Sequence, residues 1–350
     1  MRTLEEAIIE GRNGLSSDKL DMSFGELISM YTSNELIIDP EFQRLFRWDI
    51  YQRTRFVESL LLGIPIPSIF VAEDNDGRWE IVDGLQRIST ILSFFGFLKD
   101  NQEKNSWILD KGDIIEELEG LSVSELPLKF QINIKRSSCR MEVIKWDSDY
   151  DMRFELFNRL NTGGSLLTDQ EIRNCIFRGI SAKFTNTIKE LALSEEFVGL
   201  VVPTQKQKEE LYLDELVLRF FSLFENHEHI SKNISEHMTD YMREATNNKN
   251  LYQYKIEKFK RTLSLVKRLG RQSILSKSGP LSTSLYDGIF NGVAANLEYY
   301  ENSTKAVLQD KVSFLKKDTE FKKTSGSTSG SKSRTKKRIL RALEIFSDHD

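Results

Sequence analysis

The sequence predicts an α+β domain over residues 1–178 and an all-helical domain over residues 179–350. Three observations carry this. The runs rich in strand formers, "ELIID", "SIFVAE", "RWEIVD" and "RMEVIKW", all fall before residue 150. Beyond about Gly179, apolar residues recur at helical spacing, as in "KQKEELYLDELVLRFFSLFEN" and "LYQYKIEKFKRTLSLVKRLG". The 350 residues also suffice for about two domains.

Taken in order, "SFGELISMY" opens on Ser23 with Glu26 three residues later, a capping box that predicts a short helix. "ELIID" reads as a short strand. "DIYQRTRFVESLLLG" reads as a helix capped by Asp49, with Phe56, Val57, Leu60 and Leu61 on its apolar face and Gly63 as its stop. "SIFVAE" and "RWEIVD" flank Asp74-Asn75-Asp76-Gly77, a hairpin signal. "LQRISTILSFFGFL" carries Ile88, Ile91, Leu92 and Phe95 at helical spacing. "RMEVIKW" reads as another strand, and "SDYDMRFELFNRL" as a helix closed by "NTGG". Thr168 and Glu171 make a second capping box, opening "DQEIRNCIFRG". In the helical domain, "TSGSTSGSKSRTKK" predicts a flexible basic loop near 323–337, ahead of a last helix, "KKRILRALEIF".

The charged fraction of 29% and hydrophobic fraction of 39% are those of an ordinary globular protein. A formal charge of -4 gives no overall pull toward nucleic acid, so any such binding needs a local patch. Cys139 and Cys175 allow at most one bridge and read as reduced thiols in a cytoplasm. The N-terminus "MRTLEEAIIEGRNG" has no long apolar run, so no signal peptide is expected. The longest apolar stretch, "LLLGIPIPSIFVA", is broken by Gly63, Pro65 and Pro67, so no membrane span is expected either.

Chemistry-bearing residues gather at the end of "WEIVDGLQRIST", Trp79 to Thr90, where a strand runs into a helix. A first helical turn presents unpaired N–H groups to an anion. Gly84 lets backbone approach a ligand, and Arg87 offers a planar fork for phosphate oxygens. Gln86 can orient water, and Asp83 can accept a proton or bind Mg²⁺. The plainer reading is a tight turn with Arg87 in a salt bridge. A second cluster, "PEFQRLFRWD", sets Gln43, Arg44 and Arg47 among Phe42, Phe46 and Trp48. Such a set grips phosphate while a ring stacks on a base, or else lines a core edge with snorkelling arginines. In the third, "NRLNTGG", Asn158, Asn161, Thr162, Gly163 and Gly164 form either an anion cradle or a helix C-cap.

The run "RFVESLLLGIPIPSIFVAEDNDGRWEIVDGLQRISTI" resembles the core of the ParB/sulfiredoxin-like superfamily. With "FQRLFRW" before it and "LFNRLNTGG…LTDQEIRN" after it, the chain over roughly residues 20–178 is similar to the GmrSD-type N-terminal domain family. That family's hallmark is Asp-Gly-Gln-Gln-Arg; here Leu85 stands in place of the first glutamine. The resemblance implies a ParB-like nucleotide-binding domain with a small mixed sheet, acting in bacterial restriction of foreign or modified DNA. It implies NTP with Mg²⁺ as the ligand. Asp83, Gln86 and Arg87 would be catalytic. Gln43, Arg44, Gly84, Asn161, Gly163 and Gly164 would hold phosphates, and Asp83 and Glu58 would hold the metal. Leu85 also occupies the place of the sulfiredoxin cysteine, so that redox activity is not expected. Histidines His227, His229, His237 and His349 show no HNH-type pattern, and the first three read as a solvated helix end.

From Lys316 to Arg341, ten Lys and Arg face Asp318 and Glu320, a local excess of eight. Lys332, Arg334, Lys336, Lys337 and Arg338 are the candidate DNA contacts, against the reading of a merely solvated loop. Two functions follow. One is an NTPase tied to DNA defence. The other is a regulatory subunit that senses nucleotide or modified DNA and leaves cutting to a separate nuclease. Direct cleavage by the ParB-like domain ranks below both. The sequence leaves homo-oligomerisation open.

Overall fold

The computed structural model describes residues 3–6, 8, 16–38, 46, 48–74, 76–99, 102–145, 156, 159, 168–178, 181–230, 232–276, 279–326 and 329–347. The chain forms two compact units, Met1–Leu166 and Leu167–Asp350.

The first unit is built on a mixed five-stranded sheet of order β1-β5-β3-β4-β2. Its strands are β1 (Ser17–Ser23), β2 (Leu36–Ile37), β3 (Ile69–Glu73), β4 (Trp79–Asp83) and β5 (Ser138–Ile144). Antiparallel pairs β1–β5 and β3–β4 alternate with parallel pairs β5–β3 and β4–β2. The β3–β4 hairpin turns where Asp74 Oδ1 accepts the Asp76 and Arg78 N–H groups, and Gly77 takes φ +78°. β3 and β5 carry the fully buried Ile69, Val71, Met141 and Val143.

Helices cover the sheet where the capping signals place them. α1 (Phe24–Thr32) starts at Ser23, whose hydroxyl and backbone N–H exchange bonds with Glu26. In α2 (Ile50–Leu61) Asp49 and Gln52 form a capping box, and Gly63 follows its end at φ +70°. α3 (Leu85–Phe94) runs from the end of β4, burying Ile88, Ile91 and Leu92. Two elements lack a sequence signal: the polar edge strand β1, and α4 (Leu128–Arg136), whose Leu128, Phe130 and Ile132 stay exposed. The expected helix "SDYDMRFELFNRL" lies almost wholly outside the described residues.

The second unit is helical throughout its described residues, apart from an isolated bridge between Leu275 and Leu281. Its helices are α5 (Asp169–Arg178), α6 (Ala182–Ala192), α7 (Glu195–Val201), α8 (Gln205–Glu209), α9 (Tyr212–Leu223), α10 (Ile234–Asn247), α11 (Gln253–Leu269), α12 (Thr283–Ala295), α13 (Leu297–Asn302), α14 (Lys305–Lys317), α15 (Thr319–Lys323) and α16 (Lys332–Ser347). The second unit begins at Leu167. Helix α5, opened by the Thr168–Glu171 capping box, therefore belongs to the helical unit. An aromatic core of Phe220, Phe259, Phe290 and Tyr286 fills its centre, the last two with ring centroids 4.2 Å apart.

The expected basic loop near 323–337 is a correction. Helix α16 begins at Lys332, and Arg338 is fully buried. Its Nη2 donates to Asp287 Oδ2 at 2.7 Å, and its Nη1 to the Thr324 and Ser329 carbonyls. Asp287 also takes a two-point bond from Arg219, at 2.9 and 2.7 Å. A buried carboxylate is stable as an anion only when such partners replace water, and the two guanidiniums hold Asp287 below the usual carboxylate range against burial, the largest influence on it. Thr324 and Ser329 are thus stapled to the core through Arg338. Among the histidines, His237 is also not solvated: it is buried, with Nε2 2.9 Å from the Ser222 carbonyl.

Candidate functional site

Gly84 makes the turn between β4 and α3. It sits at φ +99°, and an added Cβ would lie 2.8 Å from Ile69 Cγ1. Both the left-handed backbone and the close approach to β3 demand glycine here. Because Gly84 is the N-cap, no side chain caps α3. The N–H groups of Leu85 and Arg87 lie in the first turn, where the helix dipole is positive.

Arg87 does not reach outward. Its Nη2 donates to Asp83 Oδ2 at 2.7 Å, and its Nη1 to the carbonyls of Pro67 and Ser68, the latter at 3.2 Å. The side chain is 11% exposed and ties β4, α3 and the loop before β3 into one piece. Gln86 is similarly engaged, its Oε1 accepting the Trp48 N–H at 3.1 Å. That bond draws the end of "FQRLFRW" to the start of α3. Asp83 remains 39% exposed beside this latch.

Glu58 is a correction as a metal ligand. It is buried on α2, and its carboxylate accepts the N–H groups of Asp113, Ile114 and Ile115 at 3.2, 2.8 and 2.7 Å. An added Cβ on Gly112 would lie 2.4 Å from Glu58 Oε1, so the loop wraps tightly around it. As a partner of Asp83 for a magnesium ion, Glu58 would have to share a carboxylate already bonded to this loop. Among the described residues, no three His, Cys, Asp or Glu side chains converge to hold one.

Two aromatic residues of the second cluster, Phe46 and Trp48, pack within the fold, while Phe42 lies outside the described residues. Phe46 is buried between the Arg53 guanidinium, 5.2 Å from its ring, and Lys104 Nζ at 5.5 Å. Trp48 packs on Phe56 at 5.6 Å. Core packing, not base stacking, accounts for both. Gln43, Arg44 and Arg47 lie outside the described residues, as do Asn158, Asn161, Thr162, Gly163 and Gly164. On α16, Lys332 and Lys337 are exposed, Arg334 and Lys336 half-buried, and Arg338 is withdrawn into the core.

An open groove of about 540 Å³ is lined in part by Ser68, whose carbonyl receives Arg87. It runs between the Gly63–Ser68 loop and the start of β5, and Ser137, Ser138, Cys139 and Arg140 form one side. Burial pushes the Cys139 thiol up to about 11, with Arg87 close enough to offset part of the rise. A thiol so placed is no nucleophile at neutral pH. Nothing in the residue types of "KRSSCR" marked this segment in advance, because its role depends on the loop it faces.

Residues 24–178 match the family described as the GmrSD restriction endonuclease N-terminal domain. This region is similar to that domain. Comparison with curated proteins and with solved structures found no significant match. The matched region contains strands β2 to β5, the Asp83–Arg87 turn and, at its end, helix α5, while β1 precedes it. No helix among the described residues is long and apolar enough to cross a membrane.

Proposed function

We propose that this chain is a nucleotide-binding component of a bacterial DNA restriction or anti-phage system, and that it hydrolyses NTP at the Asp83–Arg87 turn. The uncapped first turn of α3 behind Gly84 carries this reading, since it offers backbone N–H groups and a positive dipole to phosphate oxygens. Arg87 holds the turn in shape. Asp83, partly open to solvent, is the group that orients or deprotonates the attacking water. Lys332, Arg334, Lys336 and Lys337 on α16 are proposed to meet DNA phosphates.

A second reading has one observation in its favour. Gln86, Arg87 and Glu58 are all engaged within the fold. A site so committed suits a sensor that binds nucleotide and passes cutting to a separate nuclease. Phosphate release from each NTP with Mg²⁺, with and without DNA, separates the two. Turnover that is lost in Asp83→Ala, with nucleotide still bound, supports hydrolysis. Tight binding with no release in the wild type supports the sensor, and no binding at all rejects both.

A further inference from the structure

β1 is an outer strand of the sheet, and among the described residues its strand neighbour is β5 alone. The Lys145 N–H donates to the Ser16 carbonyl at 2.9 Å, and the Phe24 N–H to the Ser137 carbonyl at 3.1 Å. Both pairs continue the β1–β5 register by one residue at either end. Along an antiparallel ladder, bonded pairs alternate with non-bonded ones. Ser16, Asp18, Leu20, Met22 and Phe24 therefore turn their backbone toward β5. Ser17, Lys19, Asp21 and Ser23 turn theirs to the outer edge. The Ser23 N–H is taken by the Glu26 carboxylate at 2.7 Å, so Lys19 and Asp21 stand at the middle of that edge.

The side chains of β1 divide by face. Leu20 and Met22 stand opposite the buried Met141 and Cys139, yet Leu20 is itself 44% exposed at the rim of the core face. On the other face, Lys19 lies 3.5 Å from Glu142, and Asp21 takes two bonds from Arg140 at 3.0 and 3.2 Å. Both side chains still reach solvent, Lys19 being 67% and Asp21 61% exposed. Each carboxylate oxygen of Asp21 has a second lone pair for another cation.

Charges on an edge strand ordinarily discourage pairing. Here they discourage every antiparallel self-pairing but one. With Leu20 on a two-fold axis, Lys19 faces Asp21 of a second copy, and Asp21 faces its Lys19. Those two positions are also the ones with outward N–H and C=O groups, so they form bonded pairs. The next register in one direction sets Lys19 on Lys19, and in the other Asp21 on Asp21; like charges directly opposite destabilise a sheet. In the favoured register a row of alternating sign crosses four strands: Arg140, Asp21, then Lys19 and Glu142 of the second copy. The two exposed Leu20 side chains meet on the axis, where a non-bonded pair brings side chains closest.

We propose that β1 is a homodimerisation edge, joining two copies of this chain through an antiparallel β1–β1 pair centred on Leu20. The contact is isologous, as a two-fold dimer requires. One seven-residue strand makes a small interface, so the dimer is weak and forms with rising concentration.

Sedimentation velocity of the full chain tests this, at concentrations up to about 0.5 mM, where a weak interface is populated. Lys19→Glu and Asp21→Lys each put like charges opposite one another, and Leu20→Glu sets two carboxylates on the axis. All three sites are exposed, and circular dichroism checks that each variant is folded. The wild type should shift from monomer to dimer, and each variant alone should associate about tenfold more weakly or less. An equimolar mixture of Lys19→Glu with Asp21→Lys should dimerise again. In that mixed pair the introduced glutamate faces the introduced lysine, and the native Asp21 of one chain faces the native Lys19 of the other. A wild type that stays monomeric throughout overturns the proposal. So does association that all three substitutions leave unchanged, or a mixture of the two folded charge variants that stays monomeric.

Discussion

Replacing Arg87 by methionine is the sharpest probe of the turn, because the structure makes this residue a latch rather than a phosphate grip. Methionine keeps the apolar stem and removes the bonds to Asp83, Pro67 and Ser68. The bond to Asp83 is partly solvated, so it is worth about 0.5–1 kcal/mol after screening. The two carbonyl bonds come from a nearly buried cation, and each contributes about 1–1.5 kcal/mol. The sum is about 3 kcal/mol. For a unit of this size that corresponds to a fall of roughly 6–12 °C in the melting transition of the N-terminal unit. Calorimetric scanning of wild type and variant reads it directly. Arg87→Lys should recover only part, since an ammonium cannot bridge three acceptors with the fork's geometry. A variant that melts like the wild type while losing NTP affinity would refute the latch and return Arg87 to the ligand.

Glu58→Gln keeps the shape but turns an amide NH₂ toward one of three N–H donors, costing about 2–3 kcal/mol; an unchanged urea midpoint would contradict the role of these three bonds. Asp287→Asn leaves Arg219 and Arg338 facing each other with too few acceptors, a loss of about 3–5 kcal/mol. It should also expose Thr324–Ser331 to protease, and intact resistance would count against the staple. Lys255 is buried among the Phe221 and Phe224 carbonyls, and burial lowers it from 10.5 to about 8. The unfolded chain therefore binds the extra proton between these values, and stability rises with pH there. The gain is roughly 2 kcal/mol from pH 8 to 9.5. Denaturation curves should lose that slope in Lys255→Met, and matching curves would remove Lys255 as its source. Lys332→Glu with Lys337→Glu should lower the slope of log affinity against log salt for duplex DNA by about 2; an unchanged slope would clear α16 of DNA contact.

The elements with local signals were legible in the sequence. Ser23–Glu26, Asp49–Gln52 and Thr168–Glu171 cap helices because capping is settled within four residues. β1 was not legible: "SDKLDMS" is polar and exposed, and only the backbone of β5 makes it a strand. α4 was hidden because Leu128, Phe130, Ile132 and Ile134 alternate with polar residues, a period that does not announce a helix. At the site, the turn itself was readable from Asp83 to Arg87, but the direction of each side chain was not. Glu58 looked like a free carboxylate because its donors stand 55–57 residues away. Arg338 looked like a tail charge because Asp287 is 51 residues distant. Composition reports how many charges a segment has, and only tertiary partners decide which of them remain available.

That distinction limits what the basic segment can do. Of its ten cations, Arg338 is spent on Asp287, Arg341 on Asp318 and Glu344, and Lys323 on Glu320. Lys316 and Lys322 bond backbone carbonyls. Lys332, Arg334, Lys336 and Lys337 are the ones grouped at the start of α16, where Arg338 anchors the helix that carries them. Four phosphate contacts would give a salt slope of about -3.6, well short of what an excess of eight suggests. A contact of that strength holds DNA only weakly and without sequence preference. Recognition of a DNA feature would then have to come from elsewhere, in keeping with the proposed nucleotide role of the Asp83–Arg87 turn. The departure at Leu85 is consistent with this. In the first turn of α3 that position contributes its backbone N–H, which leucine supplies as well as glutamine does.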